Sequence, residues 1–203
     1  MKFRYFESPE KYGAFLEGHM PCAICRVEKK CFDAGIFFGE DAIKAICPDC
    51  LAGGGLMDLD IYTCNGDAGG LYQQLQVSSP TATEEELNAM VQEKTTGLQK
   101  TTPALVTWQD WDWPCSDGDY CVFLAYGSKA LYDQLAKDQK GETLFAGSIY
   151  YTQQEDGDAG ELWTEEMPDK PINNNEEAGE AGILFYVFKS LHNDTIITTW
   201  DRD

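Results

Sequence analysis

Apolar residues recur at helical spacing in two stretches of the chain. Residues 83–86 read Thr-Glu-Glu-Glu, the pattern of a capping box, in which Thr83 and Glu86 each bond the other's backbone amide. Leucine, methionine and valine follow at intervals of three and four, so the pattern predicts a helix over residues 84–94. Ser128 is predicted to cap a second helix that extends to Lys137, with two leucines on one face.

Short apolar runs predict strands elsewhere in the chain. Residues 31–38, 144–151 and 183–188 have strand length and are rich in aromatic and β-branched side chains. The His192-Asn193-Asp194 turn leads the last run into residues 195–200, so the chain is expected to close with a hairpin. These elements predict an α+β protein with an antiparallel sheet and two or three helices.

Three segments are interpreted as irregular. The glycine-rich runs at 53–55 and 66–70 are predicted to be loops, because no Gly-Lys-Ser or Gly-Lys-Thr completes a phosphate-binding loop after them. Between residues 155 and 180, ten carboxylates accompany a single lysine, with two prolines and three consecutive asparagines. This composition predicts an acidic loop or mobile insertion over residues 153–181 that lies outside the core.

Charge narrows the class of partner. Lysine and arginine number 15 against 35 aspartates and glutamates, for a formal net charge of −20. Because phosphate contacts supply most nucleic-acid affinity, the chain is not expected to bind nucleic acid, and a basic protein partner fits better. No apolar run approaches the ~18 residues that span a bilayer, so no membrane association is expected. The start of the chain has no apolar signal region, and a reducing, cytoplasmic location is predicted.

Two cysteine pairs carry the strongest chemical signal. Cys22-Ala-Ile-Cys25 and Cys47-Pro-Asp-Cys50 are separated by 21 residues. Each pair can direct two thiolates at one cation from a tight turn, so the four sulfurs predict one structural Zn²⁺ in a zinc-ribbon or treble-clef-like lobe. The lobe is assigned to residues 1–65, and an α+β body with the acidic insertion and the closing hairpin to residues 66–203.

A redox-active pair and disulfide bonds are the alternatives to zinc for the cysteine pairs. A thioredoxin-like redox pair needs a helix start inside a βαβ pattern, which the residues before Cys22 do not supply. Disulfides would need an oxidising compartment. Cys115 and Cys121 with His192 are candidates for a second metal site, although buried reduced thiols are the simpler interpretation.

Catalytic signals are weak, so the protein is predicted not to be an enzyme. The chain has two histidines, His19 and His192, and neither lies in a metalloprotease or triad-like context. Four cysteine ligands would close the coordination sphere of a zinc ion and leave no position for water. The aspartates around residues 110–119 have the spacing of paired carboxylates, but that spacing also arises freely in an acidic loop.

The order of several short motifs resembles the CbrC family of bacterial proteins, named for a member linked to tolerance of colicin E2. The matching pieces are an early Phe-x-Tyr-Phe with a following proline, the first Cys-x-x-Cys, Cys-Pro-x-Cys-Leu-Ala at 47–52, Thr-Thr-Pro at 101–103, the block from Trp108-Gln109 to Phe123-Leu124, and the last apolar strand. The chain departs from the family pattern at Ser190 and Asn193, which stand where members carry another cysteine pair. A second metal site on that pair is therefore not implied here.

The resemblance implies a zinc-type cysteine lobe and a role in tolerance of, or immunity to, protein toxins. Together with the charge, it predicts a cytoplasmic protein that binds a basic toxin, such as a nuclease. The candidate contact residues combine acids with aromatic side chains; they are Asp110, Trp111, Asp112, Trp113, Asp117 and Asp119, together with the acids of 155–180. The alternative is a metal-responsive or stress-related zinc protein that binds a small molecule, for which a concave pocket would be the distinguishing feature.

Overall fold

The structure is a computed structural model that describes residues 2–108, 111–137 and 139–203. Within them the helices are α1 (Pro9–Tyr12), α2 (Pro48–Ala52), α3 (Ala68–Ser78), α4 (Glu84–Thr101), α5 (Lys129–Leu135), α6 (Gly141–Ser148), α7 (Ala159–Glu161) and α8 (Asn175–Gly179). Short 3-10 turns lie at Ala34–Ile36 and Tyr151–Gln153, and a π-helical turn lies at Leu162–Glu166.

Most strands are two residues long. They are β1 (Met20–Pro21), β2 (Glu28–Lys29), β3 (Phe32–Asp33), β4 (Phe38–Gly39), β5 (Ala45–Ile46), β6 (Ile61–Tyr62), β7 (Asn65–Gly66), β8 (Asp112–Trp113), β9 (Cys115–Ser116), β10 (Asp119–Tyr120), β11 (Val122–Tyr126), β12 (Ile183–Lys189) and β13 (Ile196–Arg202). The pairs β1–β2, β3–β5, β4–β6 and β9–β10 are antiparallel, and β7–β8 is parallel. The protein therefore combines helices with several small sheets.

The largest sheet is antiparallel, in the order β11-β12-β13. The closing hairpin is confirmed, with Ile183 opposite Arg202 and Lys189 opposite Ile196. Both edges of the sheet are covered. The amide of Glu7 donates to the carbonyl of Phe123 at one edge, and the amide of Tyr150 donates to the carbonyl of Thr198 at the other. Neither edge is left open to pair with another chain along these residues.

Strand β12 divides the core into two clusters. Successive side chains of a strand point to opposite faces. Leu184, Tyr186 and Phe188 accordingly enter the larger cluster, which holds most of the aromatic rings, whereas Phe185 and Val187 enter a smaller cluster beneath α5 and α6. The larger cluster takes residues from both sides of the boundary predicted at residues 65 and 66, and that boundary stays a prediction.

The two capped helices are confirmed, with different ends. Glu86 donates its amide to Thr83 Oγ1 at 3.2 Å, and the Thr83 amide donates to the Glu86 carboxylate at 2.8 Å, so the capping box is complete. Helix α4 continues seven residues beyond the predicted end, because Leu98 is buried and extends the apolar face. Helix α5 begins as predicted, where the Leu131 amide donates to Ser128 Oγ, but it ends at Leu135.

The prediction of a strand at residues 144–151 is wrong. Most of this run lies in helix α6, whose buried positions Gly141, Phe145 and Ser148 have helical spacing. A short apolar run does not by itself distinguish a strand from a buried helix. Only Ile149 makes a strand-like bridge, to Thr198.

The prediction of a loop at residues 66–70 is also wrong, since helix α3 begins there. Asp67 caps the helix by accepting the Gly70 amide at 2.7 Å. The earlier glycine run at 53–55 lies in a turn, as predicted. The strand predicted at 31–38 is present only in part, because Asp33 caps a 3-10 turn between β3 and β4.

The acidic segment is more structured than its composition predicts. All ten of its carboxylate residues are exposed, but Leu162, Met167, Ile172 and Ala178 are buried. The prediction that this segment lies wholly outside the core is therefore wrong. Its apolar residues anchor two helical turns, and its acids face solvent.

Asp119 connects the segment around Arg4 and Tyr5 to helix α4 through hydrogen bonds. Its carboxylate is 2% exposed and accepts from Arg4 at 2.7 Å, from Lys94 at 2.7 Å and from Tyr5 Oη at 3.0 Å. Burial by itself would raise the pKa of this carboxyl group, but the hydrogen bonds and charges of these partners outweigh burial and lower it.

We expect Asp119→Asn to reduce the free energy of unfolding by about 2 kcal/mol at neutral pH, because it removes a carboxylate with several charge-assisted hydrogen bonds. A lowered folded-state pKa contributes stability above the unfolded value of about 4, and this contribution is lost as the pH falls through the folded value. The difference in the free energy of unfolding between wild type and variant should therefore shrink in acid. Urea unfolding measures this free energy at neutral and at acid pH, with Asp58→Asn, at an exposed position, as control. Equal stabilities of the two variants at pH 7 would contradict this role.

Candidate metal centre

The first cysteine pair lies in a tight turn between β1 and β2. Met20 pairs with Lys29 and Pro21 with Glu28, and the Cys22 amide donates to the carbonyl of Val27 at 3.0 Å. The Arg26 amide donates to the carbonyl of Cys22 at 2.9 Å, and Arg26 has a φ of 63°, in the left-handed region. The turn thereby presents both thiols on its inner side.

The second pair lies at the start of helix α2. Cys47 is the N-cap and Pro48 occupies the first helical position, where a missing amide proton costs nothing. The backbone amide of Cys47 donates to Cys22 Sγ at 3.3 Å, so the second turn also bonds the sulfur of the first. The Ala23 amide donates to the carbonyl of Ala45 at 2.8 Å and joins the two turns a second time.

The four predicted ligands lie together. The sulfurs of Cys22, Cys25, Cys47 and Cys50 are all within 4.8 Å of one another. The Cys25 and Cys47 sulfurs are 3.9 Å apart. Four sulfurs placed tetrahedrally at ~2.3 Å from one ion are separated by about 3.8 Å. The cluster therefore has the dimensions of a tetrahedral thiolate site, and it could hold a metal ion.

The electrostatics of the cluster favour a cation. Burial acts to raise the pKa of Cys22, but amides of Cys47, Cys25 and Ile24 outweigh burial and lower the pKa to about 6. Burial raises the pKa of Cys47 and of Cys50, and the neighbouring Cys22 adds to both shifts. One thiolate is thus stabilised by backbone dipoles while further ionisation is opposed. A divalent cation at the centre would remove that opposition.

The side chains of Lys29 and Cys31 lie next to the cysteine cluster. Lys29 forms an ion pair of 2.8 Å with Asp49, which lies between the second pair of cysteines, and it brings a positive charge towards the thiolates. Cys31 is a fifth, fully buried cysteine beside the cluster, and its thiol donates to the carbonyl of Met20. Burial, followed by the charges of Cys22 and Cys47, raises the pKa of Cys31 to about 11, so it stays a neutral thiol.

Sequence reasoning placed Cys31 in a strand and did not associate it with the cluster. The available signal was its position six residues after Cys25, at the end of the hairpin that carries the first pair.

The predicted partner-binding residues are not a uniform exposed surface. Trp113 and Asp119 are buried, so a partner could not contact them at the surface; Trp113 packs against Phe188, and Asp119 is held by the cations described above. Trp111 is half-buried against Tyr186. Strand alternation explains the result, because an acidic and aromatic run can bury its rings and still expose part of its acids.

Two of the predicted acids remain at the surface. Asp112 and Asp117 are exposed, and Asp117 accepts hydrogen bonds from Ser190 at 2.7 Å and Asn193 at 2.9 Å. Asp110 lies outside the described residues.

The three candidates for a second metal site differ in their exposure to solvent. Cys115 and Cys121 are buried, whereas His192 is exposed. Cys115 accepts from the Gln74 amide at 3.3 Å and lies 3.2 Å from Tyr150 Oη. Among the residues that the structure describes, the Cys22–Cys50 cluster is the one group of three or more metal-ligating side chains that meets the distance requirement.

The fold and the site define a class: a mixed helix-and-strand protein with small sheets and a four-cysteine cluster near its start. The chain belongs to the uncharacterised protein family UPF0167, whose family model matches residues 1–201. No solved structure matches the chain. None of the described helices is both long enough and apolar enough to cross a bilayer.

We expect the cluster to bind one Co²⁺ per chain with the strong near-ultraviolet absorption of thiolate-to-cobalt charge transfer. Cys25→Ser should weaken this absorption, because it removes one of four sulfur ligands from an exposed position without opening the core. Cys64→Ser, which alters a thiol outside the cluster, is the matched control. An unchanged spectrum in Cys25→Ser would rule out the four-sulfur site.

Proposed function

We propose that this chain is a non-enzymatic zinc protein whose acidic surface binds a basic protein partner. The convergence of four cysteine sulfurs carries the metal part of the proposal, and the net charge of −20 carries the partner part. The resemblance to the CbrC family suggests that the partner is a toxin, such as a nuclease, against which the protein confers tolerance or immunity.

The order of elements around the cluster supports a structural zinc ion. A knuckle between β1 and β2 supplies the first pair, the β3–β5 hairpin follows, and the start of α2 supplies the second pair. Knuckle, hairpin and helix in this order are typical of a treble clef. Zn²⁺ prefers such closed four-sulfur sites, and its binding energy contributes directly to folding. All eight cysteines are free thiols, as a reducing cytoplasm would maintain them.

The purified full-length chain is expected to contain one zinc per molecule by metal analysis. Removing the zinc with a chelator should lower the melting temperature by about 10 °C. A ligand whose dissociation constant is far below its free concentration stabilises a domain by several kcal/mol. Added Zn²⁺ should restore the melting temperature and Mg²⁺ should not. The affinity for zinc should fall as the pH is lowered, because protons compete for thiols whose pKa is raised. A melting temperature indifferent to chelation would refute a structural role.

The distribution of charge supports a basic partner. The ten acids between residues 155 and 180 are all exposed, and the segment contains one lysine. Two of these acids form ion pairs, Asp169 with Lys129 and Glu166 with Arg202. The remaining excess of negative charge on one anchored segment would attract a cationic surface and accelerate its association.

The proposal is tested by inhibition of a basic nuclease toxin at several salt concentrations. Neutralising five acids of the segment should weaken inhibition about tenfold, since exposed ion pairs contribute ~0.2–1 kcal/mol each. The substitutions are Glu155→Gln, Glu161→Gln, Glu165→Gln, Glu176→Gln and Glu180→Gln.

A control variant changes the net charge equally but outside this segment. It carries Glu7→Gln, Glu10→Gln, Glu17→Gln, Glu40→Gln and Glu93→Gln, all at exposed positions. Equal effects of the two variants would mean that only net charge matters. Absence of binding to any basic toxin encoded beside this chain would remove the toxin hypothesis.

The environment of the other cysteines supports a non-enzymatic role. Burial raises the pKa of Cys64 to about 12 and of Cys115 to about 11, so these thiols are protonated at neutral pH and are poor nucleophiles. Both histidines are exposed. A zinc ion with four cysteine ligands would have no open position for a catalytic water.

A second candidate function is favoured by one observation. A cleft of about 350 Å³ lies beside the β4–β6 and β7–β8 pairs, within the size range of small-molecule sites. A zinc protein that binds a small molecule, in a metal-responsive or stress-related role, would use such a cleft.

A further inference from the structure

The cleft has aromatic walls. Phe38, Trp108, Trp111 and Trp113 line it, and Phe38 is stacked on Tyr62 with ring centroids 5.5 Å apart. Trp111 and Trp113 are also nearly parallel, with an interplanar angle of 27°. Flat aromatic surfaces of this kind bind planar π-systems through stacking and apolar contact.

None of the described side chains that line the cleft carries a formal charge. A charged ligand would therefore lose hydration without gaining an ion pair, which is costly in a partly buried site. The net charge of −20 further disfavours an anion. Burial keeps the pKa of Cys64, the thiol in the lining, at about 12, so this side chain is neutral as well.

A few polar groups remain for the ligand. Asn65 lines the cleft, and its side-chain amide has no hydrogen-bond partner among the described residues. Leu105, Val106 and Thr107 form part of the wall, and the structure of the described residues gives their backbone amides no acceptor. Backbone donors are normally paired, so a ligand oxygen or ring nitrogen at this wall would satisfy donors that the described residues leave without an acceptor.

We infer that this cleft binds an uncharged, planar aromatic molecule of about two fused rings that carries a hydrogen-bond acceptor. The inference rests on the second candidate function above and names its ligand class. It is independent of the acidic segment and of the metal centre.

The test uses two fluorescent dyes with the full-length chain. Prodan is an uncharged naphthalene with a ketone acceptor, and anilinonaphthalene sulfonate is an anion of similar size. Prodan should bind with a dissociation constant of about 10–100 µM. Its emission should shift to the blue, and excitation of tryptophan should sensitise it, because three of the five tryptophans line the cleft. The anionic dye should bind at least about tenfold more weakly.

Two variants locate the binding. Thr107 is exposed at the cleft, so Thr107→Trp should occlude it and weaken prodan binding at least tenfold, whereas Thr107→Ser should have little effect. Phe38→Ala should also weaken binding by removing one wall, with Val77→Ala, at an apolar residue that is 82% exposed, as its control. Thermal unfolding checks that all four variants remain folded.

The outcomes separate the ligand class from the function. If the anionic dye binds in the cleft better than prodan, small-molecule binding stands and the uncharged ligand class is wrong. If neither dye binds, or if Thr107→Trp leaves prodan affinity unchanged, both the inference and the second candidate function are overturned for this cleft. Prodan binding that Thr107→Trp abolishes supports both.

Discussion

Strand β12 is the constraint on which the rest of the fold depends. It is buried along six of its seven residues and sends alternate side chains into two separate clusters. A strand in this position needs apolar residues on both faces, which is why it appears in the sequence as a continuous apolar run. Its neighbour β11 pairs with the segment around Phe6, and the larger cluster then connects this segment to the cysteine lobe. The position of the candidate metal centre thus follows from packing that begins at the far end of the chain.

The cysteine cluster presents a different physical problem. Bringing four thiols together in a partly buried site is favourable only if their charge is compensated, since burial and mutual repulsion oppose ionisation. The structure provides backbone amides for Cys22 and the charge of Lys29 nearby. These cannot compensate four thiolates, whereas a divalent cation held among the sulfurs could. An acidic protein is also a consistent host, because Lys29 lies beside the cluster while most of the acidic residues lie outside residues 1–65.

Local signals in the sequence were sufficient to predict the structure where interactions between residues close in sequence determine it. The capping box before α4, the Ser128 cap and the spacing of the cysteine pairs each depend on residues a few positions apart, and all three are present. Prediction failed where distant contacts decide. Residues 144–151 are apolar enough for a strand, but Phe145 packs on Phe185 and Tyr132 as part of a helix. The glycines after Asp67 suggested a loop, although an aspartate cap can start a helix with small residues in its first turn. The burial of Asp119 was equally hidden, because its partners Arg4 and Lys94 are far from it in sequence.

The aromatic and acidic block near residues 108–119 illustrates how one composition can serve two purposes. Considered as a linear motif, it resembles a protein-binding surface with aromatic anchors and an acidic rim. In the fold, Trp113 fills the core and Asp119 joins the first segment to α4, while Trp108 and Trp111 turn towards the cleft. The block is therefore less suited to contact a protein partner than the segment at 155–180, whose apolar residues are buried and whose acids are all exposed. The metal centre, the acidic segment and the aromatic cleft are built from different side chains.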